Sequence, residues 1–200
     1  MFTINCKGRL LSLAQPIVMG IINTTPDSFY TNSRINKIDS ILEKVEKMIT
    51  DGASIIDVGG QSTRPGSERI GEEEELRRVL PVIEQIALKF PRLIISIDTF
   101  YAKVAKLAVE AGGSIINDVS GGMIDDNLLP VVAALQVPYV LMHMQGDPQT
   151  MQLNPVYKNV VLDVFDSLNF KLHQLKLLGI KDVIIDPGFG FGKTAAHNFQ

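Results

Sequence analysis

The chain has 200 residues, of which 46% are hydrophobic, 20% charged and 6% aromatic, a balance typical of a globular protein with one sizeable core. Its 19 basic and 22 acidic residues give a formal net charge of −3. Because neither sign is clustered, a nucleic-acid partner is not expected. The single cysteine, Cys6, excludes a disulfide framework. The apolar runs are shorter than the roughly 20 residues of a membrane span and no secretory signal opens the chain, so we expect a cytoplasmic protein without membrane contact.

Short β-branched runs alternate along the chain with longer amphipathic stretches. Near-continuous apolar runs suit strands that are buried on both faces, as in parallel sheets. Six such strands are predicted, around 17–22, 54–56, 93–97, 114–116, 138–142 and 183–185. Helical apolar spacing follows the first five strands, at 38–49, 76–87, 104–111, 126–135 and 160–179. The glutamate run 72–75 is expected to form the negatively charged first turn of the second helix.

Alternating strands and helices predict a parallel α/β sheet, either an open doubly wound sheet or a closed (β/α)₈ TIM barrel. Each of the six strands finishes in a polar residue: Asn23, Asp57, Asp98, Asn117, His143 and Asp186. An open sheet uses few strand ends for function, whereas a barrel delivers all of them to one mouth, so the barrel is favoured. A complete barrel needs about 250 residues. We therefore predict a single domain over 1–200 with about six of the eight βα units, apparently lacking the last two.

Six sequence motifs resemble, in order, the signatures of the dihydropteroate synthases, a family of pterin-binding enzymes. They span nearly the whole chain: MGIINTTPDSF at 19–29, DVGGQSTRPG at 57–66, SIDT at 96–99, INDVSGG at 116–122, LMHMQG at 141–146 and DPGFGFGKT at 186–194. The resemblance implies a (β/α)₈ barrel that uses Mg²⁺. It also implies condensation of (7,8-dihydropterin-6-yl)methyl diphosphate with 4-aminobenzoate, with release of diphosphate, in a protein that is commonly a homodimer.

The resemblance assigns the pterin to Asp98, Asn117 and Asp186. A carboxylate can accept both the N–H and the NH₂ of the amino-pyrimidinone edge, and an amide can donate and accept on the mixed edge. For any one of these aspartates alone, a helix N-cap following the strand is the alternative. Asp98 is also one of the two residues expected to be catalytic.

The loop following the second strand is expected to meet the diphosphate. A departing diphosphate needs cationic and N–H donors as its charge develops, and the resemblance assigns this role to Thr63 and to Arg64, the second expected catalytic residue. Asn23 resembles the family's magnesium contact, with a turn asparagine as the alternative. Gln61 departs from the family, where glutamate is common.

Apolar residues are expected around both substrates. Phe29 and Pro65, on the first two loops, are implied to wall the aminobenzoate site, although the sequence departs from the family directly after Phe29. Met142 and Phe191, with Val119, are expected to form a slot for the pterin ring, or equally to be barrel packing. His143 is expected to be a hydrogen-bonding residue at a strand end.

The glycine-rich stretch 188–194 resembles a phosphate-binding loop but fails its spacing. Its glycines are expected to allow the backbone close to a ligand, and Lys193 is expected to be a loop cation. Two alternatives to the synthase are a pterin-dependent methyltransferase and a non-catalytic pterin-binding homologue. Asn23, Thr63 and Arg64 argue against the methyltransferase, because it needs neither Mg²⁺ nor a diphosphate site.

Overall fold

A computed structural model of the chain describes residues 2–25, 34–61, 69–146, 151 and 155–200. The chain opens with an antiparallel hairpin that the sequence analysis did not predict, made of β1 (Thr3–Cys6) and β2 (Arg9–Ser12). Its two-residue turn has positive φ at both positions, 54° at Lys7 and 87° at Gly8. This is the geometry of a type I′ turn, whose twist matches that of the strands it joins.

Six parallel strands follow, at the predicted places. They are β3 (Val18–Asn23), β4 (Ala53–Gly59), β5 (Ile94–Asp98), β6 (Ile115–Asp118), β7 (Tyr139–Met142) and β8 (Val183–Asp186). They form one sheet in the order in which they occur in the chain, and each pairs in parallel with the next. This is the arrangement of consecutive right-handed βα units.

The described residues form six helices between and after these strands. They are α1 (Arg34–Thr50), α2 (Glu72–Lys89), α3 (Ala102–Glu110), α4 (Leu128–Leu135), α5 (Val160–Leu177) and α6 (Ala195–Asn198). The glutamate run does form the first turn of α2, as predicted. No helix within the described ranges is long and apolar enough to cross a membrane.

The alternation of side chains along each strand divides the sheet into two faces. One face packs against the helices and carries the largest core cluster, which includes Ile22, Ile56, Val58, Ile95, Ile97, Ile116, Tyr139 and Leu141. Tyr139 is fully buried on this face, where its hydroxyl donates to Asp118 Oδ2 at 2.7 Å. Asp118 also accepts from the N–H groups of Ser120 and Gly122, so this buried carboxylate is fully engaged in structural contacts.

The other face, which we call the inner face, is apolar at its lower end, where the strands begin. Its lower residues form a separate cluster with the hairpin, which includes Met19, Ile55, Ile94, Ile115, Val140 and Ile184. Ile4 and Cys6 of β1 are buried in this cluster. The hairpin is also bonded to the same end of the sheet, because the backbone N–H of Asn5 donates to Asp182 at 3.0 Å. The hairpin therefore covers the N-terminal end of the strands and leaves the C-terminal end for ligands.

Ile4→Ala should lower the free energy of unfolding by about 2–4 kcal/mol, since it leaves a cavity between the hairpin and the sheet. Urea denaturation of the wild-type and variant proteins measures the loss. Leu10→Ala, in the neighbouring strand, is the matched control because Leu10 is 75% exposed; we expect a change within about 0.5 kcal/mol. Equal effects for the two variants would show that the hairpin is not packed on the sheet in solution.

Candidate active site

Polar side chains occupy the upper half of the inner face, above the apolar cluster. Asn23, Gly59, Asp98 and Asn117 are consecutive partners across four neighbouring strands. Asp186 lies at the end of β8, beside Met142. Because side chains alternate along a strand, Asp57 and Ser96 lie on this face as well. The structure thus brings Asn23, Asp98, Asn117 and Asp186 to the same end of one sheet.

Asp57 was noted only as a strand end, but the structure makes it part of the site. Its Oδ2 accepts a hydrogen bond of 2.9 Å from Asn117 Nδ2, which fixes the orientation of the Asn117 amide. Asp57 is only 4% exposed, and its Oδ1 makes no hydrogen bond within the part of the chain that the structure describes. Burial raises the pKa of Asp57, opposed by the nearby Ser96 hydroxyl and the Asn117 amide.

Asp98 lies at the end of β5 and faces Gly59, at the end of the neighbouring strand β4. A β-carbon added at Gly59 would be 3.0 Å from Asp98 Oδ2, so a larger residue would push this carboxyl group aside. The pKa of Asp98 is well above its ordinary value because of burial, and next because of the charges of Asp57, Glu75 and Asp118. The Asp98 carboxyl group therefore lies among other acids, whose charges disfavour its ionised form.

Glu75 is a second acidic residue that the sequence analysis did not single out. It lies in the first turn of α2 and is fully buried, and neither of its carboxylate oxygens has a hydrogen-bond partner among the described residues. Burial raises its pKa to about 7, opposed by the Thr99 hydroxyl and by the charges of Arg69 and Arg78. The sequence did carry a signal that Glu75 is buried, because it lies at helical spacing from the apolar residues Val79, Ile83 and Ile86.

Asp57, Glu75 and Asp98 thus form an acidic cluster with raised pKa values. Across the described ranges, no group of three or more His, Cys, Asp or Glu has a metal-binding arrangement. Asp57 and Glu75 are buried, whereas Asp98 is partly exposed, so a ligand with N–H donors would meet the Asp98 carboxyl group. The site is therefore suited to a neutral ring with an N–H-rich edge.

Asn23 is the one residue predicted to contact a metal. It ends β3 on the inner face, and its side chain is exposed. An exposed amide oxygen fits Mg²⁺ as a single protein ligand, because this ion keeps several waters and takes other oxygens from substrate phosphates. The residues present are consistent with a metal held mainly by its substrate.

The residues expected to form the apolar slot lie together in one small cluster. Met142, Val119 and Phe191 pack with Phe100, Met144 and Met151. Met142 is 2% and Val119 7% exposed, and Phe191 is partly buried. Contact with a pterin stays a prediction for these residues.

Two glycines after β8 allow a close approach between two loops. A β-carbon at Gly188 would lie 2.0 Å from the carbonyl oxygen of His143, and one at Gly192 would lie 2.8 Å from that of Gln145. Both residues have positive φ, 70° and 59°. These glycines let the loop following β8 pack on the loop following β7, and in the structure it is this loop that they approach.

Four predicted residues, Phe29, Thr63, Arg64 and Pro65, lie outside the described residues. The described residues on either side of the second loop are tied down. Gln61 is 7% exposed, and its Oε1 accepts from the N–H of Ile70 at 3.1 Å. Tyr101 in turn donates to the carbonyl of Ile70 at 2.7 Å and accepts from Arg69. This part of the crossover from β4 to α2 is thereby anchored to Tyr101, in the loop following β5.

Parallel βα units with polar side chains gathered at the C-terminal ends of the strands are the pattern of the α/β-barrel enzymes, which bind their ligands at that end. Comparison with known proteins identifies the family. The sequence profile described as "Pterin binding enzyme" matches residues 19–200. The chain belongs to this family, among the dihydropteroate synthases, and the predicted (β/α)₈ class is confirmed, although the sheet formed by the described strands is not closed.

The similarity extends over almost the whole chain. It is 44% identical to the dihydropteroate synthase of Haemophilus influenzae over 196 residues, covering 97% of this chain and 70% of the relative. It is 49% identical to the folic acid synthesis protein fol1 of Schizosaccharomyces pombe, of which it spans 25%. The solved dihydropteroate synthase from Xanthomonas albilineans in complex with 7,8-dihydropteroate superposes with a TM-score of 0.85 at 39% identity, over 98% of this chain and 70% of that one.

Glu75→Gln should make the protein more stable at alkaline pH. The pKa of Glu75 is about 7 in the folded protein against an ordinary value of 4.5. Below pH 4.5 the group is protonated in both the folded and the unfolded state, so it causes no loss of stability. As the pH rises from 4.5 to 7, the unfolded state ionises first and the loss of stability grows. Above that pH the variant should gain up to about 3 kcal/mol of unfolding free energy, and at pH 4 almost none. Urea denaturation from pH 4 to 9 measures the difference. Glu84→Gln, at an exposed position of the same helix, is the control; a parallel pH profile for both variants would contradict the prediction.

Proposed function

We propose that the protein catalyses the dihydropteroate synthase reaction of folate biosynthesis. It would join (7,8-dihydropterin-6-yl)methyl diphosphate to 4-aminobenzoate, giving 7,8-dihydropteroate and diphosphate. The observation that carries the proposal is the hydrogen-bonded and acidic set Asp57, Asp98 and Asn117 on the inner face. The similar Xanthomonas albilineans enzyme, solved with 7,8-dihydropteroate, supports it.

The pterin would bind through its amino-pyrimidinone edge. That edge offers an N–H and an NH₂ side by side, which one carboxylate can accept as a bidentate pair. Asp98 and Asp186 are the candidate acceptors, with Asn117 oriented by Asp57 to complete the ring's hydrogen bonds. N–H donors stabilise the ionised form of a carboxyl group, so binding would lower the raised pKa values of the acidic cluster.

The reaction would be a substitution at the pterin methylene. The bond from the methylene carbon to the diphosphate oxygen breaks, and the electron-rich ring delocalises the developing positive charge. The amine of 4-aminobenzoate then forms the new C–N bond and loses one proton. No protein nucleophile is needed, and catalysis consists of positioning and electrostatic stabilisation.

Arg64 and Thr63 would donate to the diphosphate as it leaves. Mg²⁺, held by Asn23 together with substrate oxygens and water, would neutralise part of the diphosphate charge. Phe29 and Pro65 would wall the aminobenzoate site, and Met142 and Phe191 would contact the flat bicycle. We also propose a cytoplasmic homodimer.

Asp98→Asn and Asp186→Asn should each weaken pterin binding by about tenfold or more, because the amide replaces an acceptor with a donor and leaves a buried N–H unpaired. Calorimetry with a pterin ligand measures the affinity. Since Asp98 lies among other acids, Asp98→Asn should leave the melting temperature unchanged or raised, which separates lost binding from lost folding.

The matched control for these two variants is Asp182→Asn. Asp182 lies at the opposite end of β8, where it accepts from the N–H of Asn5. Its replacement should leave pterin affinity unchanged. Unchanged affinity in both Asp98→Asn and Asp186→Asn would remove these residues from the pterin site.

Arg64→Ala should lower turnover far more than it lowers the affinity for a pterin that lacks the diphosphate. Arg64 is assigned to charge that appears mainly as the leaving group departs, so its loss affects the transition state more than the bound pterin. Steady-state kinetics and pterin calorimetry on the same variant give the two quantities. Equal losses would mean that Arg64 supports the pocket as a whole.

A further inference from the structure

Lys193 is a buried cation in the loop following β8 and is only 6% exposed. Its ammonium group lies within hydrogen-bond distance of four acceptors. They are the carbonyl oxygens of Gly188 at 2.9 Å, Phe191 at 3.1 Å and His143 at 3.3 Å, and Nδ1 of His143 at 3.1 Å. These acceptors are neutral groups of two neighbouring loops, so Lys193 joins the loop after β8 to the end of β7.

The His143 ring accepts in this arrangement. Burial, and then the charges of Lys193 and Lys171, lower the pKa of His143 to about 4, so the imidazole is neutral near pH 7. An ammonium group can only donate, which makes Nδ1 the acceptor and leaves the ring proton on Nε2. The side chain of His143 is therefore occupied in holding Lys193, in keeping with its predicted hydrogen-bonding role.

The same loops hold Asp186 on two sides. The backbone N–H of His143 donates to the carbonyl oxygen of Asp186 at 3.0 Å. The backbone N–H of Gly188 donates to the Asp186 carboxylate, Oδ1, at 2.7 Å. Gly188 thus contacts the Asp186 carboxylate through its N–H and Lys193 through its carbonyl oxygen.

Holding a cation here has a cost. Burial lowers the pKa of Lys193 to about 8, opposed by the negative charge of Asp186. A buried ammonium group contributes less to stability than an apolar side chain of similar size often would. The burial of the Lys193 ammonium group is explained if Lys193 fixes the position of a group that the site needs.

We propose that Lys193 is a positioning residue for pterin binding, which ties the loop after β8 to His143 and thereby fixes the Asp186 carboxylate. The proposal rests on the assignment of Asp186 to the pterin under the proposed function. Lys193 acts through Gly188 and makes no contact with the ligand, which distinguishes it from the phosphate-binding lysine that its glycine-rich surroundings suggest.

The test compares pterin affinity in four forms of the full-length protein: wild type, Lys193→Met, Asp186→Asn and the double variant. Lys193→Met should weaken pterin binding about tenfold, with a smaller change in the KM for 4-aminobenzoate. The double variant should bind no more weakly than Asp186→Asn alone, because both changes disable the same contact. A lysine that is merely structural would weaken the double variant further.

Lys171→Met is the matched control. Lys171 is a half-buried cation that donates to the carbonyl of Gly121 at 3.1 Å, in the loop following β6. Its replacement likewise removes a partly buried cation, and it should leave pterin affinity within about twofold. If Lys193→Met does not fold, Lys193→Leu, which also cannot donate, takes its place in the same cycle. Lys193→Gln, which can still donate to the carbonyls, should keep most of the wild-type affinity.

The outcomes separate this proposal from the proposed function. If the wild type does not bind the pterin, the proposed function fails. If it binds and Asp186→Asn binds equally well, the assignment of Asp186 is wrong, and the role of Lys193 falls with it. Two results would overturn the positioning role while the proposed function stands, provided that Asp186→Asn weakens pterin binding. In the first, Lys193→Met binds the pterin as tightly as the wild type. In the second, the losses of affinity in Lys193→Met and Asp186→Asn add in full in the double variant.

Discussion

The alternation of side chains along a parallel strand is the constraint from which the site follows. Each strand sends one set of residues toward the helices, where burial demands apolar side chains, and the other set toward the inner face. On that face the lower positions pack on the hairpin, and only the upper positions are left for polar groups. A slip of one residue in β5 would exchange Asp98 with the buried Ile97 and would destroy both the core and the pocket.

The strands and helices could be predicted because the signals are local and strong. Strands buried on both faces have near-continuous apolar sequences, and the helices that cover them show clear apolar spacing. The hairpin escaped prediction because its strands are four residues long and only Ile4 and Cys6 of β1 are buried. The Lys7–Gly8 pair was the available signal, since a two-residue turn ending in glycine is typical of hairpins.

The site was predictable as far as the strand ends. Asn23, Asp98, Asn117 and Asp186 were found because parallel strands end at one edge and because their motifs resemble a known family. The roles of Asp57 and Glu75 depend on what surrounds each carboxyl group, which one sequence does not contain. The same holds for Lys193, whose acceptors come from two loops separated by about 50 residues along the chain. The sequence identified Lys193 only as a loop cation, and tertiary packing makes it a buried one.

The contact between Gln61 and Ile70 bears on the glutamine that this chain carries where the resemblance led us to expect glutamate. An amide oxygen can accept the Ile70 N–H as a carboxylate would. It brings no further negative charge toward Asp98 and Glu75, whose pKa values are already raised. Because an amide does not titrate, this anchor of the crossover keeps the same strength in acid and in base. A glutamate at position 61 would become a weaker acceptor when it is protonated. With glutamine, the hydrogen bond to Ile70 does not depend on pH.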